Sequence, residues 1–274
     1  MKDVNTIEHS LITNYRKKIY KPFVEAIRDF NLIEENDKVC VALSGGKDSL
    51  ILAKLIQESI KHGPIKFEAE FINMDPGYDN YHKNLILDNC KNLNIPIKVY
   101  PTDIFQVLDK HVEGNPCYLC ARMRRGALYK IAKNLGCNKI ALGHHFNDVI
   151  ETTLLNILYS GNYKTMIPKL PSDNYEGLTL IRPLFYVHEI DIKRFMKSHD
   201  IIAMSCGCTV TRGEHDSKRK EIKNLIEELK KTNRDVELSI FNSAKNVNID
   251  AVLGYKENNK YIDFNKIYEK RIKK

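Results

Sequence analysis

An apolar run, Val39-Cys-Val-Ala-Leu43, stops at Ser44-Gly-Gly-Lys-Asp-Ser49, and apolar residues at helical spacing, Leu50-Ile-Leu-Ala-Lys-Leu55-Ile, begin at once. That order predicts a buried strand, a tight turn and a helix opening at Asp48 or Ser49. Paired glycines let a backbone come close to a ligand, and the unpaired N–H groups of a helix start attract anions. A phosphate loop of the Gly-x-x-x-x-Gly-Lys-[Ser/Thr] type is excluded, because position 41 is Val and Lys47 is followed by Asp48.

The rest of the chain repeats this alternation. Strands are predicted at Lys38–Leu43, Lys66–Asn73, Ile97–Tyr100, Asn138–Leu142 and Leu178–Ile181. Helices are predicted between them at Ser49–His62, Tyr78–Leu93, Tyr118–Leu135 and Asp148–Leu158. A long helix from about residue 5 to 31 precedes them, with Ile19, Phe23, Ile27 and Phe30 on one face. The class is therefore α/β, a mainly parallel sheet covered on both faces, with right-handed crossovers and a ligand beyond the C-terminal strand ends. After residue 186 the pattern turns helical, at Glu189–His199, Ser217–Lys231 and Val236–Val247, and the tail after Gly254 is polar and basic without a period. The expected division is a helical segment 1–35, a nucleotide-binding α/β domain 36–186 and a helical appendage 187–274.

The 274 residues, 43% apolar and 28% charged, suffice for a sizeable core. No run of eighteen apolar residues occurs and Met1–Glu8 lacks the apolar centre of a signal peptide, so a cytoplasmic protein with no membrane partner is expected. An odd number of cysteines, seven, suits reduced thiols used for metal binding or catalysis. The net charge of +8 favours a polyanionic partner. Its cations gather at Arg16–Lys18, at Arg122 with Arg124 and Arg125, at Lys218–Lys220, and at Lys270, Arg271, Lys273 and Lys274.

Two further constellations carry chemistry. Ile140-Ala-Leu-Gly-His-His-Phe-Asn-Asp-Val-Ile-Glu151 repeats the strand, glycine, polar turn and helix of the first loop, which would bring Gly143, His144, His145, Asp148 and Glu151 to the same sheet edge. Asp48 and Asp148 would then share a Mg2+ ion beside phosphate oxygens, although Asp148 equally suits a helix cap. The second is Pro116-Cys-Tyr-Leu-Cys120, followed by Arg122, Arg124 and Arg125, with Ser205-Cys-Gly-Cys208 downstream. Two cysteines three apart at a helix start can face one metal, and the helix terminus and the arginines favour thiolate. Zinc would take four thiolates as a closed tetrahedron, whereas an iron–sulfur cluster held by three would leave one iron open. Cys40, Cys90 and Cys137 lie in apolar surroundings and read as core residues.

Ser44–Ser49, Cys117–Tyr129, Ile140–His145 and Ile181-Arg-Pro-Leu184 together resemble the tRNA 2-thiocytidine synthetases, a family of pyrophosphatase-loop (PP-loop) ATP-dependent tRNA thiolation enzymes. The resemblance runs from about Ile19 to Asn248. It implies an adenine nucleotide α-hydrolase-like, Rossmann-like fold with helical additions at both ends. It also implies an activity: adenylation of an anticodon-loop cytidine at position 32, then replacement of its 2-oxygen by sulfur with the help of a [4Fe–4S] cluster. Ser44, Gly45, Gly46, Lys47, Asp48, Ser49, Gly143, His144 and Asp148 would bind ATP, with Asp48 and Asp148 on magnesium. Cys117 and Cys120 would hold the cluster, with Cys206 the third ligand and Cys208 its alternative. Asp48, Cys206 and Cys208 would be catalytic, and Arg122, Arg124 and Arg125 would contact tRNA. A sulfur donor such as a cysteine desulfurase is an implied partner, and a homodimer is compatible with the reading. Two departures stand out: Asn147 replaces the first of two acids usual in the family, and Cys206-Gly-Cys208 replaces a Cys-x-x-Cys-Gly pattern. If both Cys206 and Cys208 coordinated, no iron would be free. Two other readings fit the same motifs: an adenylating ligase of the lysidine-synthetase type with structural zinc, and a non-catalytic iron–sulfur RNA-binding protein.

Overall fold

A computed structural model of the protein describes residues 1–110, 116–204, 214–258 and 260–272; the side chains of residues 109–110, 116–118 and 214–217 lie outside the described part. Helix α1 (Val4–Ile12) is capped by Asp3, whose carboxylate accepts from Thr6 N–H. The single helix expected over 5–31 is instead three pieces: α1, a π-helical turn at Arg16–Tyr20, and α2 (Lys21–Asp29). The physical reason is Pro22, which lacks an N–H and whose ring crowds the carbonyl four residues earlier, so the turn before it widens.

Strand β1 (Lys38–Ala42) leads into α3 (Lys47–His62), β2 (Glu68–Asp75), α4 (Asn80–Asn92), β3 (Ile97–Pro101), α5 (Ile104–Lys110), α6 (Pro116–Asn134) and β4 (Lys139–Ala141). Then follow α7 (Phe146–Ser160), β5 (Lys169–Pro171), β6 (Thr179–Ile181), α8 (Glu189–Ser198), α9 (Glu214–Thr232) and α10 (Val236–Ser243). The tail is more ordered than its lack of period suggested, with an antiparallel hairpin of β7 (Gly254–Glu257) and β8 (Lys260–Asp263) before α11 (Phe264–Ile272). Strands of four residues are too short for alternation to register.

The six-stranded sheet runs β3-β2-β1-β4-β6-β5, parallel throughout except for the edge strand β5. Val39, Cys40 and Val41 of central β1 are fully buried, as a strand covered on both faces requires. The expected core cysteines Cys40, Cys90 and Cys137 are all buried. Strand order reverses between β1 and β4, so the loops after these two strands flank the crevice where open α/β sheets bind ligands. One apolar cluster joins Ile7 and Leu11 of α1, Val39 and Val41 of β1, and Phe195, Ile222 and Phe241 from α8, α9 and α10. Among the described residues no helix is long and apolar enough to cross a membrane.

Candidate active site

The chain leaves β1 through Ser44 and enters α3 at Lys47, two residues earlier than the apolar periodicity indicated, with Gly46 as N-cap. No side chain caps this terminus. The first-turn N–H groups of Lys47, Asp48 and Ser49 therefore lack helical acceptors and are disposed toward an anion. Ser49 closes the loop on itself: its hydroxyl donates to Gly46 O at 2.9 Å and accepts from Ser44 N–H at 3.2 Å. Gly45 has φ +80°, and a Cβ there would lie 2.5 Å from Ile86 Cγ1. Its carbonyl accepts from Met204 N–H at 2.9 Å.

The second loop meets the first backbone to backbone. A Cβ on Gly143 would sit 2.9 Å from the carbonyl carbon of Asp48 and 3.1 Å from Ser49 N, which glycine alone permits. Helix α7 opens at Phe146 rather than Asp148, because His145 and Asp148 form a reciprocal cap. The Asp148 Oδ2 atom accepts from His145 N–H at 2.9 Å, and His145 Nδ1 accepts from Asp148 N–H at 3.4 Å. The capping role weighed for Asp148 is thus real, but it occupies only one of its oxygens. Asn147, where the resemblance implied an acid, binds two elements: its Oδ1 accepts from Glu189 N–H at 3.0 Å and its amide donates to Glu237 at 3.2 Å. A carboxylate could make the first bond but not the second.

A cavity of about 470 Å³ lies at this junction, lined by Ser44, Gly46, Asp48 and Ser49 on one side and by Gly143, His144 and Asp148 on another. Ala121, Arg124 and Arg125 of α6 line it as well, directly after Cys120. Arg124 donates to the Tyr78 hydroxyl at 3.1 Å, whereas Arg122 faces a neighbouring cavity. Gly45 and Lys47 are not lining residues. Asp48 Oδ1 and His144 Nδ1 are buried atoms without a hydrogen-bond partner among the described residues. Orphaned polar atoms in a cavity wall are what a ligand-binding site leaves open.

Behind the cavity wall, charged groups alternate in sign from Asp48 to Asp148, the two members that line it. Lys47 Nζ bridges Asp48 Oδ2 at 2.9 Å and Glu189 at 3.0 Å. Glu189 meets Lys223 at 3.1 Å, Lys223 meets Glu151 at 3.7 Å, and Arg219 spans Glu151 at 3.8 Å and Asp148 Oδ1 at 3.7 Å. The His145 imidazole lies between the two ends, with Nδ1 3.3 Å from Asp148 Oδ2 and Nε2 3.8 Å from Asp48 Oδ1. Burial tends to raise the Glu189 carboxyl, but hydrogen bonds from Lys193, Lys47 and Lys223 outweigh it and hold the group far below the usual range. Burial pushes the Glu151 carboxyl up, against the pull of Lys223. Burial also depresses His144 to about 4, so its imidazole is neutral at pH 7.

Glu189, Arg219 and Lys223 were not singled out from the sequence. They arrive from residues beyond 186, and only the basic run Lys218–Lys220 hinted at them. Cys120 is half-buried near the start of α6. The Cys117 side chain, Cys206 and Cys208 lie outside the described residues; described chain stops at Met204, on the backbone tie to Gly45. Among the described residues no group of three His, Cys, Asp or Glu side chains is placed to hold a metal.

The PP-loop domain family matches residues 12–204. The tRNA-cytidine(32) 2-sulfurtransferase of Geotalea uraniireducens (strain Rf4) is 38% identical over 244 residues, 88% of this chain and 94% of that protein. Its counterpart in Syntrophotalea carbinolica is 39% identical over 215 residues, covering 78% and 82% respectively. Among solved structures, the U34-tRNA thiolase NcsA from Methanococcus maripaludis with its [4Fe-4S] cluster superimposes with a TM-score of 0.67 at 22% identity, over 82% of this chain and 76% of that one. At that identity the likeness establishes the fold.

Proposed function

Because this chain belongs to the PP-loop domain family and is an ATP-dependent tRNA sulfurtransferase, we propose that it adenylates the 2-oxygen of anticodon-loop cytidine 32 and exchanges it for sulfur in the cavity between the two loops. The observation that carries this reading is the shared cavity: the first loop, Asp148 and the helix that opens with Cys117 and Cys120 all border one space.

In the first half-reaction the cytidine carbonyl oxygen attacks the α-phosphorus of ATP, and the bond to the departing pyrophosphate breaks. The N–H groups of Lys47, Asp48 and Ser49 are the donors available to the phosphates, and the close approach at Gly143 keeps the two loops in register around them. Lys47, poised between Asp48 and Glu189, supplies a cation next to the leaving group. His144, neutral and with an unpartnered Nδ1, offers a hydrogen bond rather than a charge. In the second half-reaction sulfur bonds to C2, the C2–O bond breaks and AMP departs. Splaying the base out of a single-stranded loop makes C2 accessible.

Two groups would be held by this chain. Among the described residues Asp48 Oδ1 has no hydrogen-bond partner, and Asp148 Oδ1 lies 3.7 Å from Arg219 while Oδ2 takes the cap, an arrangement that suits a hard cation completed by phosphate and water. Magnesium there would neutralise phosphate charge. Cys117, Cys120 and a third cysteine, Cys206 or alternatively Cys208, offer soft thiolates suited to iron and sulfide. The [4Fe–4S] cluster, when bound, supplies an open iron for sulfide. A desulfurase-type sulfur donor, a cytoplasmic setting and the division at residues 35 and 186 complete the proposal.

The deciding experiment is anaerobic incubation of the reconstituted protein with ATP, Mg2+, sulfide and tRNA, followed by mass spectrometry of nucleosides. ATP-dependent 2-thiocytidine is expected from the parent and none from Cys120→Ser, with ATP binding retained. Undiminished thiolation by Cys120→Ser would remove the cysteine pair from the reaction. A colourless zinc protein without sulfide would instead support an adenylating ligase.

A further inference from the structure

Helix α6 borders two cavities. The second, of about 490 Å³, is walled by Arg122 and Arg125 of the helix and by the segment Leu170–Tyr175, which leaves β5 toward β6. Ala121, Arg125 and Tyr129 belong to both cavities, so the two spaces adjoin along α6.

The lining combines three kinds of group. Arg122 and Arg125 are exposed, and neither forms an ion pair among the described residues. Leu170, 39% exposed, and Pro171 present apolar surface, and the Tyr175 ring is braced 5.7 Å from that of Tyr129. Exposed Asn174 adds an amide that can both donate and accept. A single acid, Asp173, lies among them. Guanidiniums without carboxylates, beside an aromatic and apolar wall, match a polymer that alternates anionic phosphates with flat bases. A free mononucleotide would use such a wall equally well, but it would not need a neighbouring cavity that shares Ala121, Arg125 and Tyr129. A strand whose reacting base sits in that cavity must run on past its rim.

We propose that the groove between α6 and the β5–β6 hairpin binds the single-stranded RNA nucleotide flanking the reacting base, with Arg122 and Arg125 on its phosphates and Leu170 and Tyr175 against its base. This rests on the reading of the chain as a tRNA sulfurtransferase. It also divides the arginine cluster: Arg124, hydrogen-bonded to Tyr78, serves the nucleotide cavity, while Arg122 serves the strand.

The test is a binding cycle between groove variants and tRNA transcripts lacking the base on either side of the target cytidine. Arg122→Gln, Asn174→Asp and Leu170→Ala alter exposed side chains and leave the fold in place, whereas Tyr175→Ala removes a ring packed on Tyr129. Each should weaken binding of intact tRNA about tenfold: Arg122→Gln by loss of a phosphate contact, Leu170→Ala and Tyr175→Ala by loss of packing on a base, and Asn174→Asp by setting a carboxylate against the strand. Affinity for an ATP analogue, measured without RNA, should stay at the parent value in Asn174→Asp and Leu170→Ala. One of the two abasic transcripts should bind the parent about tenfold more weakly, yet lose little further affinity with Leu170→Ala or Tyr175→Ala. Parent-like tRNA binding by all four variants, or equal abasic penalties in parent and variants, would overturn the groove assignment. A parent protein that neither binds tRNA nor thiolates it would instead overturn the underlying functional reading.

Discussion

Replacing Gly143 by alanine tests the junction on which the nucleotide site depends. The new Cβ would lie 2.9 Å from the Asp48 carbonyl carbon, 3.1 Å from its oxygen and 3.1 Å from Ser49 N. Ordinary carbon contacts lie at about 3.5–4.0 Å, so the two loops must part by roughly half an ångström or more. Gly143 is not among the glycines with a left-handed φ, so the cost comes from contact alone. Overpacking of this kind costs about 1–3 kcal/mol, which corresponds to a melting temperature lower by roughly 2–5 °C for a chain of this size. The displaced atoms include Ser49 N, one of the first-turn N–H groups proposed to meet the phosphates. Misplacement approaching 1 Å typically costs about 100-fold in such sites, so turnover with ATP should fall roughly 10- to 100-fold. Thermal unfolding and steady-state kinetics in ATP measure the two effects. Gly126→Ala is the control: a Cβ there meets nothing within 4 Å, and removing a helical glycine should stabilise by about 0.5–1 kcal/mol. A Gly143→Ala protein that melts and turns over like the parent would refute the claim that the loops are locked backbone to backbone.

Three further outcomes follow from the geometry. Asp148→Asn keeps an oxygen to accept from His145 N–H, so urea stability should change little, while Mg2+-stimulated ATP affinity should drop by about tenfold or more through loss of a hard anionic ligand; an unchanged Mg2+ response would clear Asp148 of metal binding. Asn147→Asp restores the acid usual in the family but sets a carboxylate against Glu237 in place of a donor. It should cost about 1–3 kcal/mol in urea unfolding at pH 7, and a variant as stable as the parent would show that the amide bond to Glu237 is dispensable. The depressed His144 makes folding sensitive to acid: between its ordinary value of 6.5 and about 4 the unfolded chain binds the proton and the folded chain does not. Stability should therefore fall as pH drops through that window, by up to about 3 kcal/mol, and His144→Gln should flatten this part of the urea-midpoint profile relative to the parent.

The elements that announce themselves in the sequence are those whose signal is local. Both loops were readable because each packs an apolar strand, a glycine and a helix start into about a dozen residues. Pro22 was equally visible, yet the π turn was concealed because Ile7, Leu11, Ile19, Phe23 and Ile27 keep spacings of four or eight residues across it. Asp148 was readable as metal ligand or cap, and sequence alone could not reveal that one of its oxygens takes the cap while the other lies 3.7 Å from Arg219. The meaning of Asn147 was hidden for another reason: its partners, Glu189 N–H and Glu237, are 42 and 90 residues away.

The same distance hid the charge circuit, and the circuit constrains how the site must work. Asp48, Asp148, Glu151 and Glu189 face Lys47, Lys223 and Arg219, so before ATP arrives each cation already leans on a carboxylate. Phosphates entering such a site find its lysine and arginine partly neutralised. A divalent ion settling on the spare oxygens of Asp48 and Asp148 would take over those carboxylates, releasing Lys47 and Arg219 to the phosphates. Arg219 stands on α9, the first described element after the chain segment carrying Cys206 and Cys208. The basic run at Lys218–Lys220 is thus more than a solvated helix face: its middle residue joins α9 to Asp148 and Glu151 of α7.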